Sequence, residues 1–260
     1  MSVHTKNRNR TSRSWDGVAD WYIGWSGAEG SRHHKRLAIP ALMELLQPRR
    51  GEAVIDIGCG AGAFASAVLE AGAAYTGVDL GQKLIAHARH HYGGKARFLV
   101  GDATRLPAMP QLRPASFDAA AFLLSIQDID PLEDALASAA WALKPGGRLV
   151  LLMTHPCFRI PRQSGWGWDE GRRLQFRRVD RYLTPLAVPM QDYGEAGRGT
   201  TRSYHRPLEA YVSALAANGL AVDALREVSG EDLAPRNEPK AMRLAREEIP
   251  LFLALRAIKS

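Results

Sequence analysis

The chain has 260 residues, 46% of them apolar and 23% charged, which is a globular composition; no apolar run approaches the ~20 residues of a membrane-spanning helix. Its two cysteines, Cys59 and Cys157, stand far apart in sequence, so disulfide-scaffold and zinc-finger classes are excluded and no metal site is expected. The net charge of +7 is concentrated in two segments: nine Lys/Arg against four acids in residues 1–50, and ten arginines against five acids in 151–206. A solvated surface, an anionic small substrate and a nucleic-acid backbone each account for such segments.

The N-terminus (MSVHTKNRNRTSRSW) is basic and polar with no apolar core, so it reads as a disordered tail rather than a secretory signal, and a cytoplasmic location is expected. Residues 33–46 have helical spacing, with Leu37, Leu42, Leu45 and Leu46 on one face. His33 and His34, near the start of that helix, read as solvent-exposed, with a place over the bound ligand as the alternative. AVIDI (53–57) is a strand, followed by a glycine-rich turn and a helix over 63–70. A strand over 73–79, a helix over 80–91 and strands over 96–100 and 117–123 come next. A helix over 131–143 closes on KPGG and leads into a fifth strand, RLVLLM (148–153). Nearly all-apolar strands alternating with helices predict a parallel sheet covered on both faces, with ligands at the carboxyl ends of the strands.

After Met153 the rhythm breaks. Residues 154–206 are rich in Pro, Gly, Arg and aromatics, and a stretch of that length inside a compact domain reads as a functional insertion or lid. A helix over 208–218, a strand over 220–228, a short helix over 239–248 and a last strand over 251–258 follow. The expected division is therefore a basic tail and helical cap (1–50), a core (51–153 and 207–260) and a substrate lid (154–206).

The chemistry is carried by VIDIGCGAGAF (54–64). Gly58, Gly60 and Gly62 let the backbone turn sharply and approach a ligand, and the helix that follows offers free N–H groups. The third glycine comes one position too early for a dinucleotide fingerprint, which disfavours an NAD-linked oxidoreductase. Asp56 would repel a phosphate and welcome an ammonium. Asp79, with Leu80 beside it, ends the second strand, where a carboxylate can accept from two ribose hydroxyls. Asp102, in GDA (101–103), can accept from an adenine amine. The loop is built for an adenosyl group carrying an amine.

With DIGCGAG…GVD…GDA…LKPGG in this order, the chain resembles the class I S-adenosylmethionine-dependent methyltransferases over roughly residues 51–153. It is similar to their ubiquinone/menaquinone-type small-molecule subgroup, whose N-terminal W-x-x-x-A-x-x-Y-like element reads WDGVADWY (15–22) here. The resemblance implies a doubly wound, Rossmann-like seven-stranded α/β sheet with its last strand antiparallel. It implies S-adenosylmethionine as cofactor, with Gly58, Cys59, Gly60 and Gly62 around the methionine, Asp79 on the ribose, Asp102 and Ala103 near the adenine, and Tyr22 and Ser125 as further contacts. Residues after the fourth strand, LLSIQDID (123–130), would lie beside the sulfonium. Many relatives carry a histidine where this chain has Gln127, so Gln127 and Asp128 are the candidates near the methyl group.

His155, at the end of the fifth strand, is the first candidate general base, since its ordinary pKa of ~6.5 suits proton transfer at neutral pH. His205, at the return from the insertion, is a weaker one. In the insertion, Trp166, Trp168, Arg159, Arg162 and Tyr182 read as an aromatic and cationic wall for an anionic or aromatic small-molecule acceptor. The competing readings are an RNA methyltransferase using the two basic segments, which lacks a recognisable RNA-binding module here, and a noncatalytic cofactor-binding protein.

Overall fold

A computed structural model describes residues 15–190 and 201–260. The expected N-terminal tail, and the part of the insertion at 191–200, fall outside the described residues. The core strands are β1 (Ala53–Ile57), β2 (Ala74–Asp79), β3 (Arg97–Val100), β4 (Phe117–Leu123), β5 (Leu143–Thr154), β10 (Leu220–Val228) and β11 (Phe252–Lys259). They form one sheet in the order β10-β11-β5-β4-β1-β2-β3. β1 pairs parallel with β2 and β4, whereas β11 runs antiparallel to both β5 and β10. This is the doubly wound seven-stranded sheet with an antiparallel last strand that the resemblance implies.

The helices are α1 (Ala19–Ser26), α2 (Ile39–Leu46), α3 (Ala65–Glu70), α4 (Gln82–Tyr92), α5 (Leu132–Ala142), α6 (Leu208–Ala217) and α7 (Lys240–Glu248). Strand alternation divides the apolar residues between two cores. In β5, Val150 and Leu152 pack on the side of α2, α3 and α4, while Leu149, Leu151 and Met153 pack on the side of α5 and α6. Each such fully buried side chain contributes ~1.5–3 kcal/mol, so both layers hold the sheet beneath the site. The wider π turn at His34–Ala38 precedes α2, with Ile39 N–H bonded to His34 O; it accommodates Pro40, which has no N–H to continue an α-helical ladder.

The predicted KPGG turn is present inside β5. Leu143 pairs with Phe117, then the register jumps so that Arg148 pairs with Ala119, and the intervening residues bulge with Gly146 at φ +74°. The insertion folds as two antiparallel hairpins, β6 (Ser164–Asp169) with β7 (Leu174–Val179), and β8 (Leu186–Pro189) with β9 (Arg202–His205), neither joined to the main sheet.

Candidate active site

The loop after β1 is shaped by close approaches that only glycine tolerates at two points. Gly58 has φ +76°, and a Cβ there would lie 2.5 Å from Ser125 Cβ. Ser125 cannot retreat, because its hydroxyl donates to Ile57 O at 2.7 Å and ties the end of β4 to the end of β1. The Gly58 and Cys59 N–H groups donate to Val78 O at 2.8 and 3.1 Å, so the loop is pinned to β2. Asp79 then draws in two more amides: Gly60 N donates to Oδ2 at 2.9 Å and Gly81 N to Oδ1 at 2.7 Å. Burial raises the Asp79 pKa, and these two donors oppose the rise.

A cavity of about 1000 Å³ opens at the carboxyl edge of the sheet, as the architecture requires. Among the sequence-predicted residues it brings together Tyr22, Gly58, Gly60, Asp79, Leu80, Asp102, Ala103, Ser125, Gln127 and Asp128. Asp102 accepts from Thr104 N and Thr104 Oγ1 through Oδ1 alone, leaving Oδ2 without a partner among the described residues. Burial, with the nearby Asp79 and Asp56 carboxylates, pushes the Tyr22 phenol up to about 12, so it stays protonated.

Asp56, Cys59 and Gly62 do not line the cavity. Cys59 Sγ fills the space above Gly77, where a Cβ would meet it at 2.7 Å, and Gly62 lets the Phe98 and Tyr92 rings pack close. Asp56 lies under the loop. Its Oδ2 accepts from Tyr75 Oη at 2.6 Å, its Oδ1 is buried without a partner, and burial pushes its pKa up to about 7.

The other end of the cavity is formed where β4 stops. Leu124 takes φ +53°, a strained conformation for leucine, and its carbonyl accepts from Gln127 Nε2 at 2.5 Å. Gln127 Oε1 is buried and unpartnered. Asp128 follows on a short 3-10 turn (Ile126–Asp128). Burial pushes its pKa up to about 8, opposed in part by a hydrogen bond from Ser203 of β9. A carboxyl group titrating near neutrality inside a cleft is the kind of group proton transfer requires.

His155 is not brought to this cavity. It is 2% exposed, accepts from Cys157 N on Nδ1 at 3.2 Å, and so carries its proton on Nε2, which donates to Glu227 Oε1 at 2.8 Å. It anchors the start of the insertion to β10. We therefore expect His155→Ala to leave turnover per folded molecule unchanged while lowering stability by ~1–3 kcal/mol, measured by thermal melting alongside the transfer assay.

The expected substrate wall is likewise placed elsewhere. Trp166 is held between Arg159 and Arg177, whose guanidinium carbons lie 5.0 and 5.1 Å from its ring centre. Arg159 donates to Pro250 O and Ile249 O, Arg162 to Pro189 O, and Tyr182 Oη accepts from Leu208 N. Trp168 lies with Trp166 on the same hairpin, outside the cavity. These side chains tie the insertion together because arginine bonds several carbonyls at once. His205 does the same, its Nε2 bonding Tyr182 O at 2.6 Å. Among the described residues of the insertion, Thr201, Arg202 and Tyr204 face the cavity.

The structure adds residues that sequence reasoning did not place in the site or, for His34, preferred to leave exposed. His34 is buried, not exposed, and lines the cavity with Trp25. Its spacing to Leu37, Ala38, Ala41 and Leu45 places it on the apolar stripe of the helix, which was the available signal. Arg202 and Tyr204 reach the site only through the β8–β9 pairing, for which the local sequence carries no sign.

The donor set fits S-adenosylmethionine. The cavity offers that group the turn at Gly58 and Gly60, an Asp102 with one unpaired oxygen and a protonated Tyr22, and among its described lining residues there is no lysine and one arginine, Arg202 on β9. Among the described residues no cluster of His, Cys, Asp and Glu could hold a metal, and no helix is long and apolar enough to cross a membrane.

Residues 55–151 match a methyltransferase domain family. Over 99 residues the chain is 33% identical to a ubiquinone biosynthesis O-methyltransferase of Idiomarina loihiensis, covering 38% of this chain and 41% of that protein. Over 161 residues it is 29% identical to a demethylmenaquinone methyltransferase of Beutenbergia cavernae, covering 62% and 61%. The chain thus spans between 41% and 64% of the curated relatives it matches. An S-adenosylmethionine-dependent methyltransferase of Mesorhizobium loti superposes with a TM-score of 0.70 at 28% identity, over 90% of this chain and 100% of that one. Residues 55–151 are thus similar to a methyltransferase domain, and the fold as a whole is similar to that of an S-adenosylmethionine-dependent methyltransferase.

Proposed function

We propose that the chain transfers a methyl group from S-adenosylmethionine to a hydroxyl of a small, aromatic or quinol-type acceptor that carries an anionic group. The observation that carries this reading is the single cavity joining the Asp79–Asp102 end to the Asp128–Arg202 end. Its volume, about 1000 Å³, suits a cofactor and a small acceptor together. The names of the quinone-pathway relatives agree with an acceptor of this class.

S-adenosylmethionine, when bound, supplies the activated methyl and is released as S-adenosylhomocysteine. The residues of this chain align the acceptor and manage one proton. Leu123, Leu124, Ile129 and the Tyr204 ring offer the acceptor an apolar and aromatic wall. The Asp128 carboxylate receives the proton of the acceptor hydroxyl as the oxygen takes the methyl. Arg202, which has no ion pair among the described residues, faces the acceptor's anionic group. The arginines Arg159, Arg162, Arg177 and Arg206 are engaged by carbonyls within the fold, which favours a small-molecule acceptor over an RNA surface on the insertion. We propose that the insertion at 154–206 acts as the lid of this site through β9.

The test is transfer of a radiolabelled methyl group to a protein-free small-molecule extract and, separately, to total RNA from the same cells. Label in the extract supports the proposal; label in RNA alone overturns it. With an acceptor in hand, Arg202→Ala is expected to raise KM about tenfold for the anionic acceptor, with kcat little changed and a neutral analogue unaffected.

A further inference from the structure

We infer that His34 is the hydrogen-bond donor that holds the carboxylate of the cofactor's amino-acid end. This rests on the cofactor reading above and extends it to a residue that the motifs leave out.

The position of the ring is built, not incidental. Gly30 has φ +82°, and a Cβ there would lie 2.6 Å from His34 Cβ and 3.1 Å from Ala63 Cβ. The glycine thus lets the N-terminal segment press His34 against the loop that follows β1. On the other side the Trp25 ring meets the imidazole edge-on, with centres 6.1 Å apart. The Tyr22 phenol lies 3.6 Å from the Cβ that Gly60 lacks. Tyr22, Trp25 and His34 together close the end of the cavity that begins at Gly58 and Gly60.

The hydrogen bonds then define which nitrogen is offered. Ser31 N lies 3.2 Å from His34 Nδ1, and Ser31 Oγ 2.9 Å from it. A backbone N–H can only donate, so Nδ1 is an acceptor and the ring proton sits on Nε2. Nε2 has no hydrogen-bond partner among the described residues, and His34 lines the cavity. Burial, with His33 beside it, lowers the ring's pKa to about 4, so His34 is a neutral donor at physiological pH.

The ligand end that reaches this donor follows from the rest of the site. Asp79 and Asp102 face the adenosyl group, which places the amino-acid end at Gly58 and Gly60. The carboxylate then needs a donor, and among the described lining residues there is no lysine, while the one arginine, Arg202, stands on β9 of the insertion. On the cap side His34 offers its Nε2–H beside the Tyr22 phenol.

The experiment is isothermal titration of S-adenosylhomocysteine and of 5′-methylthioadenosine, which keeps the adenosyl thioether but lacks the amino-acid end. His34→Ala is expected to weaken S-adenosylhomocysteine about tenfold and to leave 5′-methylthioadenosine unchanged, with His34→Gln recovering part of the loss through its amide donor. Equal weakening of both ligands, or no weakening of S-adenosylhomocysteine, overturns the inference. A wild-type chain that binds 5′-methylthioadenosine and S-adenosylhomocysteine equally well also overturns it. Failure of the wild-type chain to bind either ligand overturns the cofactor assignment itself and the inference with it.

Discussion

Asp79→Ala is expected to weaken S-adenosylmethionine binding by about a hundredfold. Two effects act together. The carboxylate is the expected acceptor for the ribose, and one hydrogen bond to a charged group is worth about 1.5–3 kcal/mol, or roughly ten- to a hundredfold. Its removal also releases Gly60 N and Gly81 N, which it holds at 2.9 and 2.7 Å, so the loop after β1 loses the contact that orients it toward the ligand. Titration calorimetry with S-adenosylhomocysteine measures the loss, and a thermal melt of the free protein separates it from unfolding. Asp79→Asn should fall between the wild type and the alanine variant, because one amide oxygen can still accept from one of the two glycines. Near-native affinity in the alanine variant would mean that the ribose is held elsewhere.

Asp128→Asn is expected to lower kcat/KM by about 10²–10³ while changing cofactor affinity by less than threefold. The pH dependence gives a sharper test. Only the deprotonated carboxylate accepts a proton, and burial raises the pKa of Asp128 from 3.8 to about 8 in the free protein. Wild-type kcat/KM should therefore rise about tenfold per unit as pH approaches 8 and level off above it. A cationic cofactor nearby favours the carboxylate, so the corresponding rise in kcat should lie at lower pH. The asparagine variant should lack this limb.

Stability provides an independent reading of the same group. Between about pH 4 and 8 the folded protein keeps a proton on Asp128 that the unfolded chain releases. The contribution of this group is thus full at low pH and is lost as pH rises through about 8. Asp128→Asn removes that slope, and its melting temperature relative to wild type should increase between pH 5 and 8.5. A variant with the wild-type pH–rate profile would exclude Asp128 as the base.

Much of the cofactor end of the site was legible because it is encoded over short stretches of chain. The alternation of apolar strands and helices from Ala53 to Thr154 gives the parallel core, and each chemistry-bearing residue sits where one strand ends. Gly58, Gly60, Asp79 and Asp102 reach the cavity for that reason: strand ends in a parallel sheet lie side by side on one edge. His155 also ends a strand of this sheet, yet it serves as an anchor. β5 is flanked by the antiparallel β11, so the chain after Thr154 turns toward Leu251 and Glu227 rather than over the cavity.

What the amino-acid sequence determined by itself is the strand-end side of the cavity, with Gly58, Gly60, Asp79 and Asp102, because glycine turns and strand ends depend on neighbours a few residues away. Only the tertiary structure decided the opposite side. Arg202 and Tyr204 arrive from a hairpin about 75 residues beyond the β4 loop they face, and Asp128 owes its raised pKa to burial that no local pattern records. The same holds for Trp166 and Trp168, whose period-two spacing correctly places them on one face of a strand while leaving open what that face meets. A side chain's pKa and its access to a cavity are properties of the desolvation imposed by distant segments, and only the packed chain supplies them.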